Sequence, residues 1–130
     1  MKPEDCILYT NNGAVVEFIK QRNVPIKVHY FTSPALEVLE SLKIALNQGA
    51  TLLSNPMAAG KIINPYLTVI SSHPKENIDF KSIRQADEAI KIYKKNIKLR
   101  YISHSDEDVH RFQTIDLEYT VKILAQLLAQ

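Results

Sequence analysis

Tryptophan is absent from this 130-residue chain, cysteine occurs once and glycine three times. A lone Cys6 has no intrachain partner, which excludes a disulfide framework and any zinc site built from three or four cysteines. Long apolar runs are also missing: none approaches the ~18 residues of a membrane-spanning helix. Met1-Lys2-Pro3-Glu4-Asp5 holds no basic segment feeding an apolar stretch, so the reading is a chain without a signal peptide, in the cytoplasm. Charge of one sign is lacking too. Sixteen basic residues against fourteen acidic leave +2, which gives no electrostatic footing for nucleic acid. G-x-x-x-x-G-K-[ST], G-x-G-x-x-G and G-x-S-x-G do not occur, so the usual phosphate loops and the nucleophile elbow are excluded. His29, His73, His104 and His110 form no H-E-x-x-H, and no metal or cofactor is expected.

What is present is 45% hydrophobic content, in a length that suits one domain over residues 1–130. Cys6-Ile7-Leu8-Tyr9 reads as a buried strand ended by Thr10-Asn11-Asn12-Gly13. Asn11 or Asn12 is placed to cap a helix from about Ala14 to Gln21 that buries Val15, Phe18 and Ile19. Ile26–Phe31 is a second strand. Ser33-Pro34 is a good helix start, and Leu36, Leu39, Leu42 and Leu46 recur at helical spacing up to a left-handed cap at Gly49. Thr51-Leu52-Leu53 and Tyr66–Ile70 are further strands, with an aperiodic stretch from Met57 to Pro65 between them. Asp79 opens a helix through about Lys95, and Lys98–Ile102 alternates as a half-exposed edge strand. A last helix includes Asp116–Leu128 and starts either after Ser105 or at Thr114. Strands alternating with helices predict an α/β domain: a three-layer α/β/α sandwich with a mostly parallel sheet of four to five strands.

In a parallel sheet, ligands bind outside the carboxyl ends of the strands. Those ends read Thr10-Asn11-Asn12-Gly13, Thr32-Ser33-Pro34, Ser54-Asn55-Pro56 and Ser71-Ser72-His73-Pro74. They supply hydroxyls, amides and helix N-termini but no carboxylate, which argues against an acidic pocket for a divalent cation. The connection from Pro56 to Pro65 is longer than is usual in compact domains, and such loops tend to carry function. Thr10, Asn11, Asn12, Ser54, Asn55, Lys61 and Tyr66 are therefore the candidate ligand-binding residues. The competing reading is that they are ordinary turn and cap residues. An alternative function is a small transferase or hydrolase using Lys61 or Tyr66 as acid–base groups. Cys6 starts its strand, away from this edge, and reads as a buried inert thiol.

The last helix carries two apolar stripes. Ile115, Tyr119, Ile123 and Leu127 form one; Leu117, Val121, Leu124 and Leu128 form the other. Either both belong to one broad buried face, or the second meets a partner. The expectation is a homodimer through Leu117, Val121, Leu124 and Leu128.

The middle of the chain resembles a known family. Gly49-Ala50-Thr51-Leu52-Leu53-Ser54-Asn55-Pro56-Met57, followed by Pro65-Tyr66, is similar to the pattern of GrdX-type proteins. Tyr9-Thr10-Asn11-Asn12 is similar to that family's first strand end, and Phe112-Gln113-x-x-Asp116 to its C-terminal segment. The resemblance implies a non-catalytic accessory or ligand-binding protein. It implies a setting among glycine, sarcosine or betaine reductase systems, with reductase subunits as partners. Where the family has Thr-His-Pro this chain has Ser54-Asn55-Pro56, so a histidine-dependent acid–base role does not carry over.

Overall fold

The computed structural model describes residues 2–32, 36–54, 57–58, 61–62, 66–72, 88, 90–95 and 106–129; the side chains of 36–37, 57–58, 61–62, 106 and 108–109 are not described. After a short 3₁₀ turn at Pro3–Asp5, the chain forms β1 (Ile7–Thr10), α1 (Gly13–Gln21), β2 (Lys27–Tyr30), α2 (Leu36–Asn47) and β3 (Thr51–Leu52). A small hairpin of β4 (Met57–Ala58) and β5 (Lys61–Ile62) occupies the stretch read as aperiodic. β6 (Thr68–Ser71), a helical segment at residues 90–95 (α3) and α4 (Asp106–Leu128) complete the described elements. The expected edge strand at Lys98–Ile102, the Ser33-Pro34 helix start and the start of the helix at Asp79 lie outside the described residues.

The α/β class stands, but the sheet is mixed rather than mostly parallel. Strand order is β2-β1-β6-β3. Among the described strands, β1 and β2 alone pair in parallel; β6 runs antiparallel to both β1 and β3. The physical reason lies in the connection between β3 and β6. A parallel return needs a crossover, usually a helix, whereas an antiparallel return does not. That stretch carries the β4–β5 hairpin and no helical periodicity. Consequently the Ser71-Ser72 end of β6 lies at the edge opposite to the ends of β1, β2 and β3. Tyr66, Leu67 and Thr68 take its place at their carboxyl edge.

Alternation along the strands feeds two cores. Tyr9, Leu52, Leu67 and Val69 pack with Leu39, Leu42 and Leu46 of α2 and with Ile90 and Tyr93 of α3. Leu8, Leu53 and Ile70 pack with Val15 and Ile19 of α1 and Leu124 of α4. The end of α2 is a Schellman cap. Gly49 sits at φ 101°, its N–H donates to Leu46 O and that of Ala50 to Ala45 O.

α4 begins at Asp106, as the Ser105 alternative has it; Thr114 sits within the helix, its hydroxyl donating to His110 O at 3.1 Å. Its buried stripe is Phe112, Asp116, Thr120 and Leu124, spaced four apart. Leu124 is 4% exposed and belongs to the protomer's own core, which corrects its assignment to a subunit contact. Leu117 and Leu128 are half-buried against the same cluster, and Val121 is half-buried.

Candidate functional site

The carboxyl edge is built by a run of side chains that continue the sheet after its backbone ladder stops. Thr10 and Thr68 face each other in the β1–β6 register, and their hydroxyls are 2.9 Å apart. One position further, Asn11 N–H donates to Leu67 O at 3.3 Å. Leu67 N–H donates not to a carbonyl but to Asn11 Oδ1, at 2.7 Å. The amide side chain thus stands in for the next rung. Asn11 Nδ2 donates to Tyr93 Oη at 2.8 Å, which ties α3 to the strand end. On the other flank, Thr68 N–H donates to Ser54 Oγ at 3.1 Å, while Leu53 N–H donates to Thr68 O at 2.8 Å.

Asn12 turns to the opposite face. It is fully buried, with extended backbone, and its Oδ1 accepts from Ala14 N–H at 2.9 Å, so it is the cap of α1. Its Nδ2 donates to Gln113 O and to Asp116 Oδ2, each at 3.0 Å. Its own N–H donates to Thr10 Oγ1 at 3.1 Å. A continuous polar seam therefore runs Ser54, Thr68, Thr10, Asn12, Asp116. All five are buried. Burial of such groups is tolerable only because each meets a partner. Thr120, one turn beyond Asp116, departs from that rule: it is 1% exposed and its hydroxyl has no partner among the described residues.

Of the sequence-derived site residues, the structure brings Thr10, Asn11, Asn12, Ser54 and Tyr66 to one edge. Tyr66 is buried beside Leu67. Lys61 lies in β5 with its side chain undescribed, and Asn55 lies outside the described residues. Asp116, Gln113, Thr68 and Tyr93 belong to the network without having been in the candidate set. Asp116 and Gln113 had a signal, since they stand in the Phe112-Gln113-x-x-Asp116 run at a spacing that puts Asp116 on the buried stripe. The wetter rim of the edge is Asn11 and Gln113, both half-buried, with Tyr30 at 49% exposure. Gln113 Nε2 and Tyr30 Oη lie 3.8 and 4.0 Å from where a Cβ on Gly13 would stand. Away from this edge, Cys6 is buried, and its thiol donates to Lys2 O at 3.2 Å. Burial, with nearby Asp5 adding to it, pushes the thiol's pKa up from its ordinary value, which holds it in the unreactive protonated form.

Two variants test the seam. Asn12→Ala removes the cap and a donor to a buried carboxylate, and should lower unfolding free energy by about 2–3 kcal/mol in urea titration. Asn12→Asp keeps the capping oxygen but sets a second carboxylate against Asp116. Repulsion raises a folded-state carboxyl pKa above its unfolded value of about 4, so the folded state holds the extra proton. The variant's stability should be highest below that pH and fall as pH rises towards neutrality, the opposite of an ordinary carboxylate pair with a cation. Thr120→Val replaces the unpartnered hydroxyl with a methyl of similar shape. Thermal unfolding should show a gain of about 1 kcal/mol, against the loss expected if the hydroxyl were bonded.

The model of the GrdX-like protein family matches residues 7–125. No curated protein and no solved structure matches the chain. The match spans β1 to the last turns of α4 and takes in every member of the polar seam. With the match covering nearly the whole sequence, the chain belongs to the GrdX-like protein family.

Proposed function

We propose that this chain is a non-catalytic accessory protein that binds a small ligand at its carboxyl edge, in service of an amino-acid reductase system. One observation carries the reading. The segments that resemble the family are far apart in sequence, yet they meet at this edge: Asn12 bonds Gln113 and Asp116, and Ser54 bonds the start of β6 just after Tyr66. The seam's side chains are occupied with one another, an arrangement that fixes strand ends and leaves them poorly placed to move protons. The rim of Asn11, Tyr30 and Gln113 is where a ligand would be met, together with Asn55 and Lys61 of the segment between Ser54 and Tyr66. Uncharged amides and a phenol suit a small polar molecule recognised by hydrogen bonds.

Assembly as a two-fold homodimer through α4 belongs to the same proposal. It is narrowed to Leu117, Val121 and Leu128, which are half-buried on one flank of the helix.

The test is a thermal-shift screen of small anions, amino acids, betaine and nucleotides. A ligand at 100 times its dissociation constant stabilises the fold by about 2.7 kcal/mol. One of these classes should raise the melting temperature, and Gln113→Ala and Tyr30→Phe should reduce that rise while leaving the unliganded melting temperature near wild type. A flat screen, or a rise insensitive to both variants, would remove the edge as the binding site.

A further inference from the structure

We infer that a second small-molecule site, distinct from the carboxyl-edge seam, lies between α2 and the β1–β2 pair and accepts an uncharged, flat aromatic or heteroaromatic molecule. The cavity there is about 440 Å³, within the range of ligand pockets, and is lined by Tyr9, His29, Val38, Ser41, Leu42 and Ala45. Its origin is readable. α2 packs over β6, one strand further in, so its flank overhangs β1 and β2 without filling the space above them. Val38, Ser41, Leu42 and Ala45 form one helical stripe, and two of its members, Ser41 and Ala45, are small. Below them Tyr9 and His29 are register partners on adjacent parallel strands. Their rings lie 5.5 Å apart between centroids and 47° from coplanar, which makes an aromatic wall. A well-packed helix–sheet interface places larger side chains opposite such a wall.

The lining chooses the occupant. Among the described lining residues there is no carboxylate, ammonium or guanidinium, and so no cation to hold a phosphate. Two rings offer stacking or edge contacts, and Val38, Leu42 and Ala45 offer apolar contact. The Tyr9 and Ser41 hydroxyls and the His29 imidazole supply hydrogen bonds that orient a polar edge. β2 is an edge strand and His29 is exposed, so the cavity opens to solvent on that side.

The chain's lack of tryptophan makes the test clean, because added indole is then the sole indole fluorophore. Indole excited where tyrosine does not absorb should shift its emission to the blue and gain anisotropy as protein is added. In ¹H–¹⁵N spectra the perturbed amides should cluster at Tyr9, His29, Ser41 and Ala45. Ser41→Leu, which fills the cavity from an exposed helix position, should abolish both signals. His29→Ala, on the edge strand, should weaken them and provides a second arm should Ser41→Leu not fold. Inorganic phosphate should leave the indole signal unchanged. Emission that stays constant to the solubility limit of indole, amide shifts elsewhere, indifference to the folded variants, or displacement by phosphate would overturn the assignment. None of these outcomes bears on the carboxyl edge, whose own test uses Gln113 and Tyr30.

Discussion

Two adjacent asparagines at the end of the first strand hold the structure together. Asn12 has an extended backbone, and the two side chains make their bonds on opposite sides of the sheet. Asn11 reaches β6 and α3 through Leu67 and Tyr93; Asn12 reaches α1 and α4 through Ala14, Gln113 and Asp116. An amide is suited to this place because it donates and accepts at once, so one side chain closes a strand rung and a helix contact together. No apolar residue could do so, and a carboxylate could accept but not donate to Asp116.

The mixed sheet gives this pair its importance. Had β6 been parallel, its polar end of Ser71 and Ser72 would have come to the same edge, exposed and available. Instead its buried start comes there, and the edge is sealed by Thr68 and Ser54. The result is a row of hydroxyls and amides that is buried from Ser54 to Asp116 and, among the described residues, half-buried or exposed at Asn11, Gln113 and Tyr30. Binding at such an edge falls to the rim, while the seam beneath keeps the rim in position. The aromatic cavity under α2 arises separately, from where that helix sits relative to β1 and β2.

Much of the local structure was legible in the residues. The first strand, read at Cys6–Tyr9 and found at Ile7–Thr10, the cap read at Asn11 or Asn12 and found at Asn12, the leucine stripe of α2 and the Gly49 cap each follow from a local physical rule, and local rules survive folding. What was not legible depends on contacts across long separations. The direction of β6 is expressed in its antiparallel pairing with β1, where Thr68 lies opposite Thr10, 58 positions earlier. The role of Asp116 depends on a residue 104 positions earlier. Its neighbours Phe112, Thr120 and Leu124 share with it a buried stripe that shows only in the packing. Leu124 was grouped with Leu117, Val121 and Leu128 as a second apolar stripe that meets a partner, whereas it is buried in the protomer's own core. Asn11 and Asn12 were picked out by their position after a strand, which could not separate ligand contact from structural clasp.

The central claim is that the paired asparagines lock the sheet edge as one cooperative unit. Native-state hydrogen exchange of two amides tests it. Leu67 N–H lies before the first residue of β6, and Ala14 N–H lies in the first turn of α1, where an uncapped amide would be open to water. Both donate to asparagine side-chain oxygens. If the account holds, both exchange only through global opening, with the same free energy as Ile70 in the middle of the sheet. Exchange at Leu67 and Ala14 orders of magnitude faster than at Ile70 would show that the edge opens by itself, and would contradict it.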